Sequence, residues 1–101
     1  MADTDLKPRG KVELKTERPR LHKVILVNDD YTPRDFVVKV LNSVFHMGED
    51  RAYAVMMTAH RKGVCVVAVY TKEIAETKAD EATNLGREAG HPLTFTTEPE
   101  E

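Results

Sequence analysis

At 101 residues the chain has room for one domain and one core, since domains run to about 100 to 200 residues. Hydrophobic residues make up 41% and charged residues 32%, a globular composition that excludes a fully disordered, collagenous or membrane-spanning chain. The balance of 15 basic and 17 acidic side chains, net −2, argues against nucleic acid as the main partner.

The longest unbroken apolar run, Val64 to Tyr70, has seven residues, against the roughly 20 that a membrane-spanning helix needs. Residues 1–20 are polar and charged where a secretory leader would carry an apolar stretch of about 7 to 15 residues, so the expected location is cytoplasmic. Cys65 is the one cysteine; it can form no internal disulfide and no multi-cysteine metal site, which agrees with a reducing compartment.

In chain order, residues 1–20 hold six basic and four acidic side chains with Pro8, Gly10 and Pro19. Such a segment buries too little apolar surface to offset the entropy of ordering it, so it reads as a flexible N-terminal arm. Lys23 to Val27 is a β-branched run bounded by Asn28-Asp29-Asp30 and reads as a buried strand. Thr32-Pro33 followed by Asp35 predicts a helix start, with Thr32 as N-cap and proline at the first helical position. Phe36, Val37, Val40, Leu41, Val44 and Phe45 then fall on one helical face. Gly48 breaks the pattern, and Glu49-Asp50 favours a new helix N-terminus. This second helix has an apolar face of Ala52, Val55, Met56 and Ala59, and ends at Arg61-Lys62 with Gly63 as its left-handed cap.

Val64 to Tyr70 is apolar on both faces and is expected to be a central strand. Thr71 is expected to cap a third helix carrying Ile74, Ala75, Ala82, Leu85 and Ala89, which ends near Gly90. Residues 92–97 alternate as a last strand, and residues 98–101 form an acidic tail. The order β-α-α-β-α-β predicts an α+β fold, a three-stranded antiparallel sheet packed against three helices, as one core domain over residues 21–97.

Three features carry chemistry. Asn28-Asp29-Asp30 is on one reading a turn, since these residues bond their own backbone. On another it is a cation site, because an amide oxygen and carboxylates together can accept every hydrogen of an ammonium group. It lacks the alternating ligands and distant bidentate glutamate of a calcium loop, so no metal is expected. His60 is either a surface or satisfied histidine, or a neutral imidazole accepting from an amine. Met56 and Met57 either fill a core or line a pocket that adapts to several large side chains. Cys65 with His60 suggests a thiol nucleophile only weakly, since an apolar strand disfavours the thiolate. No phosphate loop, zinc spacing or serine nucleophile elbow is present, which points to binding without catalysis and without a cofactor.

The run Lys23 to Pro33, then Phe36-Val37, Met56 to His60, Thr71 to Lys78 and His91-Pro92-Leu93 closely resembles the ClpS family, over nearly all of residues 21–97. These are bacterial adaptors that hand N-degron substrates to the ClpAP protease. The resemblance implies that Asn28, Asp30 and His60 bond the free α-amino group of the substrate, with Asp29 supporting the local negative field. It implies that the first side chain, Leu, Phe, Tyr or Trp, enters a pocket formed by Leu26, Val27, Thr32, Arg34, Val37, Met56, Ala59 and Leu93. It places the surface for the N-terminal domain of the ClpA unfoldase on Glu73 and Lys78, gives the arm a part in substrate handover, and implies a monomer.

Two positions depart from the family pattern. Arg34 stands where a methionine commonly guards the pocket mouth, and Ala59 where valine or a similar residue is usual. Some bacteria carry two ClpS copies, and a narrower or shifted preference is expected here, weakest for Leu, because Ala59 removes contacts that a small branched side chain needs. Binding should also weaken on acidification, as a charged imidazole repels an amine, and at alkaline pH, as the ammonium of the ligand is neutralised. The competing reading is a small nucleic-acid or ribosome-associated α+β protein, marked by steep salt dependence of RNA binding.

Overall fold

The structure, a computed structural model, describes residues 19–101, so the arm expected over residues 1–20 lies, apart from Pro19 and Arg20, outside the described residues. The elements are β1 (Leu21–Val27), α1 (Arg34–Phe45), α2 (Glu49–Lys62), β2 (Val64–Thr71), α3 (Lys72–Glu88) and β3 (Thr94–Pro99). Their order is β-α-α-β-α-β, and the three strands form one antiparallel sheet, as the sequence implied.

The centre of the sheet is not where the apolar run pointed. The strand order is β2-β1-β3, so β1 is central and β2 lies at an edge. A bulge accounts for the unbroken apolar run: Val24 faces Ala68 and Ile25 faces Val66, which leaves Val67 without a partner. An extra residue moves the alternation of faces by one place. Cys65 and Val67 therefore point to the core before the bulge, Ala68 and Tyr70 after it, while Val64, Val66 and Val69 stay exposed. A run that is apolar at every position thus serves a strand with one buried face.

Val24, Leu41 and Val67 are the largest fully buried side chains, and they join the sheet to α1. Phe45 and Phe95 extend this core with ring centroids 5.5 Å apart. The third helix meets the sheet through Ala75, Ala79, Ala82 and Gly86, a stripe of small residues at helical spacing, whereas Ile74 and Leu85, its larger apolar residues, are exposed. Small side chains let a helix lie close to its neighbour. Closeness is decisive at Gly86, where an added Cβ would stand 2.8 Å from the Cβ of Leu93.

The helix ends also differ from expectation in detail. Pro33, not Thr32, holds the N-cap position of α1, and the hydroxyl of Thr32 donates instead to Asp29 Oδ2 at 2.9 Å. Thr71 stands at the N-cap of α3 but its side chain makes no capping bond. Gly63 closes α2 at φ 94, a left-handed φ that glycine adopts without the steric cost of a Cβ. The last strand is displaced relative to the predicted one. β3 pairs with β1 from Thr94 to Pro99, and the Glu100 N–H donates to the Leu21 carbonyl at 2.8 Å. Glu98 and Pro99, expected in a solvated tail, belong to the sheet, and Glu98 forms an ion pair with Lys23 at 3.4 Å.

Candidate functional site

Where β1 ends, the chain turns through Asn28-Asp29-Asp30 beside the C-terminus of α2. One backbone bond fixes this meeting: the Asn28 N–H donates to the Gly63 carbonyl at 2.9 Å, while the Gly63 N–H closes α2 on the Ala59 carbonyl at 2.7 Å. The left-handed glycine therefore links the strand carrying Asn28 to the helix carrying His60. The turn itself is built by Asp29. Its Oδ1 accepts from the backbone N–H groups of Tyr31 at 2.8 Å and Thr32 at 2.7 Å, in addition to the Thr32 hydroxyl on Oδ2. The turn reading and the site reading of this tripeptide thus divide among its members. Asp29 spends its acceptors on the loop. Among the described residues, the side chains of Asn28 and Asp30 bond to no other group.

These residues surround a cavity of about 250 Å³. Its floor is apolar and buried: Leu26 from β1, Val37 from α1, Met56 and Ala59 from α2, and Leu93 from the segment before β3. Its rim is polar and more exposed: Asn28, Asp29, Asp30, Thr32, Arg34 and His60, with Val27 between. Every residue that the family resemblance grouped as amine-binding or pocket-forming lines this one cavity. At the rim, Arg34 Nη2 lies 3.2 Å from His60 Nε2. A guanidinium can only donate, so this contact is a hydrogen bond in the tautomer that leaves His60 Nε2 as acceptor.

Other candidates lie elsewhere. Cys65 is absent from the cavity lining, and burial pushes its thiol above the ordinary value of 9.0, with the cations Arg51 and Lys62 pulling weakly the other way. A thiol so placed is a poor nucleophile. Met57 packs against the core outside the lining. Glu73 is exposed in the first turn of α3, whereas Lys78 is half-buried and its ammonium donates to the Val44 carbonyl at 2.8 Å, near the C-terminus of α1. Five residues apart on a helix, their side chains leave it about 140° apart, so the two do not form one adjacent charged pair. Among the described residues, no group of His, Cys, Asp and Glu is placed to hold a metal ion, and no helix is long and apolar enough to cross a membrane.

Two residues that shape the site carry no chemistry and escaped sequence reading of it. Gly86 admits Leu93 to the cavity floor, and Gly63 brings Asn28 to the end of α2. A glycine within a helical stripe was the available signal for the first.

The family model described as ATP-dependent Clp protease adaptor protein ClpS matches residues 17–96. The chain belongs to the ClpS family. It is 64% identical over 103 residues to ATP-dependent Clp protease adapter protein ClpS 1 of Rhodopseudomonas palustris, with 100% of both chains covered. It is 66% identical over 97 residues to ClpS 2 of Agrobacterium fabrum, covering 96% of this chain and 94% of that one. A solved structure of Agrobacterium tumefaciens ClpS2 bound to L-phenylalaninamide superposes with a TM-score of 0.82 at 66% identity, over 82% of this chain and 100% of the other. As a ClpS-family protein, the chain is an adaptor of the Clp protease system.

Proposed function

We propose that this ClpS-family adaptor binds the free amino-terminal residue of N-degron substrates through the cavity at the end of β1, and delivers them to the ClpA unfoldase of the ClpAP protease. The observation that carries this reading is the layering of the cavity, with acceptor groups of Asn28, Asp30 and His60 at the mouth and an apolar floor beneath. An ammonium group needs acceptors, and a large apolar side chain attached one carbon away needs a dry recess. L-Phenylalaninamide, the molecule bound by the Agrobacterium tumefaciens relative, combines a free amine with such a side chain. Leu, Phe, Tyr and Trp are the substrate residues this shape suits.

The adaptor works in the cytoplasm as a monomer, by binding alone, with no cofactor, nucleic acid or membrane partner. The unfoldase surface includes Glu73 and Lys78 at the start of α3, and residues 1–20 act in substrate handover. The test is fluorescence anisotropy of a labelled peptide beginning with Phe, against the same peptide acetylated and one beginning with Met. Acetylation removes a charged donor, and bonds to charged groups are worth about 1.5 to 3 kcal/mol each, so affinity should fall at least about a hundredfold. Equal binding of free and acetylated peptides would refute the reading. A Leu-initiated peptide should bind more weakly than the Phe peptide, and equal affinity would deny Ala59 a part in selectivity.

A further inference from the structure

We infer that Arg34 competes with the substrate's own amino terminus for His60, so that binding requires the Arg34–His60 contact to be given up. This rests on the amino-terminal reading above. The argument is one of counting lone pairs. A neutral imidazole has one ring nitrogen that accepts and one that donates. Arg34 Nη2 stands 3.2 Å from His60 Nε2, and because a guanidinium only donates, the contact is a hydrogen bond in the tautomer whose accepting nitrogen is Nε2 and whose ring proton sits on Nδ1.

An incoming ammonium is likewise a pure donor and needs that same acceptor. If it approaches Nε2, it displaces Arg34. If it approaches Nδ1, the ring must take its other tautomer, and Nε2–H then faces a guanidinium N–H with no acceptor between them. Either route breaks the contact. Both groups are cations held at one rim, which adds repulsion to the loss of the hydrogen bond. Arg34 is exposed and long-stemmed, so it can swing away into water while its methylenes stay along the rim. The residue is thus an internal competitor that sets a threshold: substrates whose side chain fills the floor well displace it, and those with a poor fit do not.

A double-mutant cycle isolates this effect. Affinity for the free Phe-initiated peptide is measured for the native protein, Arg34→Met, His60→Ala and the double variant. Methionine keeps an unbranched stem and removes the donors and the charge. Any effect of lost charge or altered wall appears in both His60 backgrounds and cancels in the ratio. The gain from Arg34→Met should be about fivefold greater with His60 present than in the His60→Ala background, the factor that corresponds to one hydrogen bond worth about 1 kcal/mol. Equal gains in the two backgrounds would overturn the proposal. So would a smaller gain with His60 present.

Ring nitrogen chemical shifts of labelled His60 give a second readout that a merely structural arginine would leave unmoved. The ligand-free native protein should show a protonated Nδ1 and a bare Nε2, and Arg34→Met should shift the ring toward Nε2–H. A protonated Nε2 in the native protein would refute the contact. If none of the four proteins prefers free over acetylated peptide, the amino-terminal reading itself falls, and this inference with it.

Discussion

The floor and the rim of the cavity are neighbours made by different forces. Leu26, Val37, Met56, Ala59 and Leu93 are buried members of the main hydrophobic core, each held by many small contacts. Asn28, Asp30, Arg34 and His60 stand at the surface, placed by a handful of directional bonds: the Asp29 acceptors, the Asn28–Gly63 backbone bond and the Arg34–His60 contact. The floor is sensitive to volume and indifferent to proton positions, and the rim is the reverse. A pocket assembled this way can change which side chain it accepts without changing its demand for a free amine. Arg34 and Ala59, the two positions expected from the sequence to depart from the family pattern, fall one on each side of that division.

The largest effect is expected from breaking the rim at its support. Asp29→Ala deletes the acceptors of two backbone N–H groups and one hydroxyl, much as losing a helix cap does, and should cost about 2 kcal/mol of stability. Urea denaturation checks this, and Asp29→Asn, which retains one acceptor oxygen, should recover part of the loss. Peptide affinity should fall with it, because Asp29 commits three of its roughly four acceptor sites to holding the turn; unchanged affinity would show that the rim keeps its shape without Asp29.

A smaller effect is expected from overfilling the floor. Gly86→Ala would ordinarily stabilise a helix by about 1 kcal/mol, but the new Cβ meets Leu93 Cβ at 2.8 Å, and overpacking costs about 1 to 3 kcal/mol. The net should be a modest destabilisation, with Leu93 pushed toward the cavity and aromatic termini losing more affinity than Leu. A stabilised variant with unaltered ranking would show that the floor yields freely at this point.

The smallest effect lies outside both halves. Burial raises the Cys65 thiol above its ordinary 9.0 and the Tyr70 phenol above its ordinary 10.0. A group whose value is raised on folding contributes stability below its unfolded value and loses it as pH climbs through the folded one. The urea midpoint should therefore decline slightly above pH 9, and Cys65→Ala should flatten the first part of that decline. Alkylation of native Cys65 near neutral pH should be slow. Rapid alkylation would contradict a thiol shielded by the core and reopen the nucleophile reading.

Much of this molecule is written in local pattern. The helical spacing of Val37, Val40, Leu41 and Val44, the break at Gly48 and the cap at Gly63 depend on neighbours a few positions apart, and each lies in the structure where the pattern puts it. The site residues are legible for another reason: Asn28 to Thr32 and Met56 to His60 are short segments with unusual chemistry, and their likeness to a family orders them into one pocket. What periodicity cannot supply is anything set by partners distant in the chain. A bulge at Val67 is invisible until β1 lies alongside it, so an all-apolar edge strand reads as a central one. The inner face of α3 cannot be picked out by hydrophobicity, which favours Ile74 and Leu85, whereas the buried residues are Ala75, Ala79, Ala82 and Gly86. The Arg34–His60 contact is likewise tertiary, since the two are 26 positions apart and meet only because α1 and α2 converge at the rim. Sequence by itself determined which segments are helix or strand, because these follow from local geometry, and its likeness to a family grouped the residues that line the cavity. The tertiary structure alone decided the strand order, the close seat of Leu93 on Gly86 and the acceptor that Arg34 occupies, because these depend on volume and direction between residues far apart in the chain.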